Sequence, residues 1–138
     1  MNLTPMDKIT QTFKIFADKN RLRIVALLSV RKMCVCELAH ILQVTQPSVS
    51  RHLKKMKEAG IIGDEQDGFW TNYYLIDKAP YSKDLVQCLK QCLKNDQLFR
   101  KDLKSLKTVD RNNVCKTGDM KSGTDTSFYL LRSVCPQF

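Results

Sequence analysis

TQPSVSRHLKKMKEAG, Thr45 to Gly60, carries the marks of both ends of a helix. Thr45 suits an N-cap, Pro47 falls in the first turn where its missing N–H costs little, and Gly60 suits the C-terminal stop. Between them Val49, Leu53 and Met56 form one apolar stripe. The other positions include Gln46, Ser48, Ser50, His52 and the cations Arg51, Lys54, Lys55 and Lys57, with no acid from Gln46 to Lys57. A solvated surface helix can look the same, so the flanking sequence decides what this one is for.

A shorter apolar-periodic segment, Val35 to Leu42, precedes it by a tight turn, which makes the pair a helix-turn-helix candidate. Beyond Gly60, IIGDEQDGFWTNYYLI has two stretches rich in β-branched or aromatic residues on either side of Asp67-Gly68. That pattern predicts a hairpin, with strands over Ile61–Gln66 and Phe69–Ile76. Upstream, helical spacing predicts helices over Pro5–Ala17 and Arg21–Val30. The expected fold is mainly α (α+β): a winged helix-turn-helix with a two-stranded wing. Double-stranded DNA is the partner this fits. Gln46, Ser48, Ser50, Arg51, His52, Lys54 and Lys55 form its expected DNA face, since amides and Arg bond base edges while Ser and Lys take phosphates.

After Pro80 the spacing predicts one long helix over Tyr81–Leu106, with a seam of Leu85, Leu89, Cys92, Phe99, Leu103 and Leu106 that Asp96 interrupts. Such a seam beside a small winged domain predicts pairing with a second copy. Thr108 to Thr126 is polar and reads as a flexible tail, closed by the apolar run SFYLLRSVCPQF. The expected division is therefore 1–107 for the DNA-binding and dimerisation domain and 108–138 for the tail.

The chain's 138 residues allow one domain with a modest core, and its net charge of +9 suits a polyanionic partner. No apolar run approaches the roughly 20 residues of a membrane span, and the N-terminus lacks a secretory apolar region. The expectation is a cytoplasmic protein without a membrane partner. In a reducing compartment, the six cysteines point to metal binding, redox sensing or plain burial rather than a disulfide framework. There is no CxxC, no carboxylate pair converging on a histidine and no Gly-rich phosphate loop, so an enzyme is not expected.

FKIFADKNRLRIVALL, CVCELAHIL and TQPSVSRHLKKMKEAGII follow one another in an order and spacing that resemble the ArsR/SmtB family of winged helix-turn-helix repressors. The resemblance runs from Pro5 to about Leu106. It implies a homodimeric repressor that releases its operator when a metal or metalloid binds. CVCEL resembles the arsenic-sensing signature of the ArsR branch, which implies Cys34 and Cys36 as thiolate ligands for As(III) or Sb(III). Soft trivalent ions favour such donors. On a straight helix residues i and i+2 point roughly 200° apart. The two thiols are therefore expected to share an ion only if the first turn unwinds, which would disturb the DNA-reading helix.

Two departures from the family pattern stand out. The wing carries Asp64, Glu65 and Asp67 where cations are common, so it is expected to add little affinity. Ala39 stands where the fuller arsenic signature has its third cysteine, leaving Cys115 or Cys135 as candidate third donors and His40 as a donor for zinc or cadmium. Cys88 and Cys92, spaced i and i+4, form a separate pair. They support the alternative of a Cd(II)-, Pb(II)- or Zn(II)-responsive repressor, or a thiol-redox one.

Overall fold

The computed structural model describes residues 2–76 and 82–115. The expected break at Pro80, the helix start at Tyr81, Cys135 and the closing apolar run all lie outside the described residues. Helix α1 (Pro5–Phe16) is capped at its start by Thr4, whose hydroxyl accepts from the Asp7 N–H while Asp7 accepts from the Thr4 N–H. Helix α2 (Lys19–Leu28) is capped by Asp18 and is the central element, with every residue from Ile24 to Leu28 buried. Helices α3 (Val35–Leu42) and α4 (Gln46–Glu58) form the helix-turn-helix, joined through Gln43 at a left-handed φ of 59°. Leu38 and Leu42 of α3 share one core with Ile24 and Leu27 of α2 and with Val49, Leu53 and Met56 of α4. Each such burial contributes about 1.5–3 kcal/mol, so the relative position of α3 and α4 is set by packing.

The wing is an antiparallel pair, β1 (Ile62–Asp67) and β2 (Trp70–Leu75). Its register differs from the sequence expectation by one step. Asp67 pairs with Trp70, leaving Gly68 and Phe69 as the two turn residues. Gly68 takes the positive φ, 62°, at the first turn position, where a type II′ hairpin demands glycine. The shift puts Phe69 at the tip, 76% exposed. Met33 adds a bridge to the second strand, its N–H donating to Tyr73 (3.2 Å) and its carbonyl accepting from Tyr73 (2.8 Å).

The expected long helix is two helices. Helix α5 (Ser82–Leu93) ends before a turn at Lys94 and Asn95, and α6 (Gln97–Thr108) begins anew. Asp96 is the reason: its carboxylate accepts from the Phe99 N–H at 2.9 Å and caps α6. What read as a polar flaw in the seam is a helix start. α5 has no buried residue, whereas α6 sends Leu106 into the core and Asp102 to Arg23. The segment that read as the start of a flexible tail forms a helical turn over 111–115, and Val109 packs on the core.

Candidate thiol centre and nucleic-acid interface

The backbone resolves the spacing of the two thiols on α3. Cys34 is the N-cap, in an extended conformation (φ −90°, ψ 170°), and Cys36 is inside the first turn. The 200° separation of a continuous helix therefore does not apply, and no unwinding is needed to bring the sulfurs together. The strap after α6 adds a third thiol. The sulfurs of Cys34, Cys36 and Cys115 all lie within 4.8 Å of one another, a grouping that could hold one thiophilic ion. Cys36 and Cys115 are paired as a disulfide in this structure, with Cα atoms 5.9 Å apart, so the three-thiol set is that of the reduced chain.

Cys34 and Cys36 are fully buried, and Trp70 and Val114 close the cluster. The Trp70 indole N–H donates to the Cys115 sulfur at 3.3 Å. Glu37, 4% exposed, sits beside the centre and accepts from the Cys34 N–H at 3.1 Å. Its charge is matched by Arg31 at 2.8 Å. Cys34 as N-cap and Cys36 in the first turn both lie at the positive end of the α3 dipole.

The remaining metal candidates are elsewhere. His40 is exposed and outside the cluster. Cys88 and Cys92 are exposed on α5 rather than gathered at α3, and Cys92 is not buried in a seam. They do meet each other: the hydrogen bond to Cys88, then its charge, pushes the Cys92 thiol up from its ordinary value.

On α4, Val49, Leu53 and Met56 are buried. Arg51, Lys54 and Lys55 are exposed, while Gln46, Ser48, Ser50 and His52 are half-buried. The Thr45 hydroxyl caps the helix by accepting from the Ser48 N–H at 3.3 Å. The Gln46 Oε1 is enclosed and has no hydrogen-bond partner among the described residues. Burial lowers the pKa of His52, against the pull of Asp18 and with help from the charges of Arg21, Lys55 and Arg51.

The wing acids do not stand bare. Asp64 pairs with Lys57 at 2.7 Å, Glu65 with Lys32, and Asp67 with Arg111 at 2.7 Å. Lys57 is thus committed to the wing and is withdrawn from the cations that α4 offers. Neither Trp70, read only as part of a wing strand, nor Arg111 is a site candidate by sequence. Trp70 stands out as the chain's single tryptophan, and nothing local distinguishes Arg111.

Residues 18–63 match the family described as Bacterial regulatory protein, arsR family. The chain is 44% identical over 75 residues to the arsenic resistance transcriptional regulator ArsR1 of Pseudomonas putida, covering 54% of this chain. That match spans 59% of ArsR1's length. A second regulator of that organism, ArsR2, is 33% identical over 119 residues, covering 82% of this chain and 98% of ArsR2. Among solved structures, HlyU from Vibrio cholerae N16961 superposes with a TM-score of 0.61 at 21% identity, covering 68% of this chain and all of that one. That likeness concerns the fold.

Proposed function

The chain belongs to the arsR family of bacterial regulatory proteins, and on that footing we propose that it is a cytoplasmic homodimeric repressor that leaves its operator when As(III) or Sb(III) binds its thiols. The observation that carries this reading is the convergence of Cys34, Cys36 and Cys115 to within 4.8 Å of one another. Cys115 supplies the third donor that Ala39 does not. Once the Cys36–Cys115 pair is reduced by a cellular thiol, three thiols exchanging for the three hydroxides of arsenous acid release three waters and leave the buried site uncharged. A neutral product suits a centre whose two α3 cysteines have no solvent exposure.

In this reading α4 enters the major groove. Gln46 and Arg51 face base edges, Ser48, Ser50, Lys54 and Lys55 take phosphates, and His52 lies on the same face. Its cations support the affinity, because the wing's own charges are neutralised within the protein. The second copy covers the apolar surface on α1, where Met6 is 73% and Phe13 52% exposed, and the part of α5 left half-exposed beside Val86 and Leu89, which pack on the core. Drawing the three sulfurs onto one ion moves the start of α3, and α3 moves α4 through their shared core. A coupling of about 1–3 kcal/mol weakens operator binding 5- to 150-fold.

One observation supports a second reading, a Cd(II)-, Pb(II)- or Zn(II)-responsive or thiol-redox repressor acting through Cys88 and Cys92. These two thiols are hydrogen-bonded and exposed on α5. Fluorescence anisotropy of a labelled fragment of the protein's own promoter separates the readings. Release by arsenite from wild type but not from Cys34→Ser, which still binds the fragment, supports the α3 centre. Release by cadmium, zinc or peroxide alone, abolished by Cys88→Ser, moves the function to α5.

A further inference from the structure

We propose that Arg111 and Trp70 form a clamp, built on the wing, that delivers Cys115 to the buried thiols and makes inducer binding and wing position depend on each other. The proposal rests on reading Cys34, Cys36 and Cys115 as one thiophilic site. It adds a positioning role for two residues that touch no ion.

Cys115 lies beyond α6, at the end of the 111–115 turn, and outside the main core. Arg111 holds that turn at three points on the wing. Its guanidinium pairs with Asp67 at 2.7 Å, donates to the Asn72 side-chain Oδ1 at 3.3 Å, and stacks 4.5 Å from the centre of the Trp70 ring. Asp67 ends β1 and Asn72 lies in β2, and the Asn72 amide itself donates to Asp67 at 3.2 Å. The same Trp70 donates its N–H to the Cys115 sulfur at 3.3 Å. One indole is thus held on its face by Arg111 and turned at its edge toward the thiol.

The wing also reaches the site from the other side. Met33, the residue before Cys34, is hydrogen-bonded in both directions to Tyr73 of β2. Two of the three sulfurs are therefore positioned by β2, one through its neighbour and one through Trp70. Gathering the sulfurs onto an ion pulls on the wing. Seating the wing on DNA shifts the sulfurs by the same linkage, because coupling between two binding events is reciprocal. An exposed ion pair such as Arg111–Asp67 adds little to stability. The contribution of Arg111 is the placement of Cys115.

The test uses the full chain, reduced and metal-free, with arsenite as probe and Trp70 emission as readout. Arg111→Ala should speed iodoacetamide alkylation of Cys115 severalfold before any metal is added. It should also weaken arsenite binding without DNA by about 10-fold, the usual cost of losing a residue that orients a ligand. Arg111→Lys, which keeps the charge but not the fork or the stacking, should recover part of that loss. In a Cys115→Ser background, Arg111→Ala should cost nothing further. Unchanged alkylation and arsenite affinity in Arg111→Ala, or an equal loss in the Cys115→Ser background, overturns the clamp. Loss of arsenite binding in Cys34→Ser beside an unaffected Arg111→Ala sinks the clamp alone. Wild-type arsenite binding in Cys34→Ser sinks the thiol site and the clamp together.

Discussion

Arg23 and Asp102 meet as a two-pronged ion pair, Nε to Oδ2 and Nη2 to Oδ1, each at 2.8 Å and across 79 residues of sequence. Arg23 also donates to the Leu42 carbonyl at 3.3 Å, so one guanidinium joins α2, the end of α3 and α6. The Asp102 side chain is 2% exposed and that of Arg23 15%, so the carboxylate has no water to fall back on and the guanidinium little.

Removing one partner of such a pair leaves the other charge stranded. Asp102→Ala should lower unfolding free energy by about 3 kcal/mol. Replacing both, as Arg23→Met with Asp102→Leu, should recover most of that loss, because two apolar groups have no charge to desolvate. Urea unfolding of the three proteins at one fixed concentration checks the order. A double variant no more stable than Asp102→Ala would show that the Arg23 bond to Leu42, lost only in the double variant, outweighs the relief of the stranded charge.

The wing's paired acids bear on DNA binding. Asp64→Asn releases Lys57 from its 2.7 Å partner and returns a cation to the end of α4. If Lys57 then reaches a phosphate, operator affinity should rise and the slope of log K against log salt should steepen by about 0.9. Anisotropy at four salt concentrations measures it. A tighter complex with an unchanged slope would mean the gain came from removing repulsion, not from a new contact.

The helix-turn-helix and the wing were legible because their signals are local: a capped helix with an apolar stripe, and a Gly-containing turn between β-rich runs. The hairpin register was off by one, because both Asp67-Gly68 and Gly68-Phe69 satisfy a two-residue turn and only the strand pairing chooses between them. In the sequence Asp96 is visible only as an interruption of the seam. A capping role depends on backbone conformation, not residue type alone. The thiol centre was half legible. Cys34 and Cys36 stand out on one segment, while Cys115 was one of several distant candidates. Its arrival depends on Arg111 meeting Asp67, Asn72 and Trp70, contacts spanning 39 to 44 residues that no spacing encodes.

His52 sets a pH dependence whose sign follows from its surroundings. Burial lowers its folded pKa, with Asp18 opposing and Arg21, Lys55 and Arg51 assisting. The unfolded chain therefore takes up the proton first as pH falls. The contribution of His52 to stability is complete above its unfolded value of about 6.5 and is lost as pH falls through the lower folded value. Thermal unfolding between pH 7.5 and 5.5 should show this decline in wild type and a shallower one in His52→Gln. Parallel profiles would assign the decline to other groups.

Ala39 offers a test of how the third donor is supplied. It is 7% exposed and lies on α3 three residues after Cys36, where helix neighbours share a face. Cys115→Ser should weaken arsenite-driven release of the operator by about 10-fold or more, because two thiols and a hydroxide replace three thiols. Adding Ala39→Cys to that variant should restore a third sulfur from within α3 and recover release, now without the strap. The restored protein should also lose its dependence on Arg111, since nothing then needs to be carried across from the wing. Operator anisotropy with arsenite in Cys115→Ser, Ala39→Cys/Cys115→Ser and the same double variant with Arg111→Ala makes the comparison. Full arsenite response in Cys115→Ser alone would show that Cys34 and Cys36 suffice, and that Cys115 lies beside the centre without serving it.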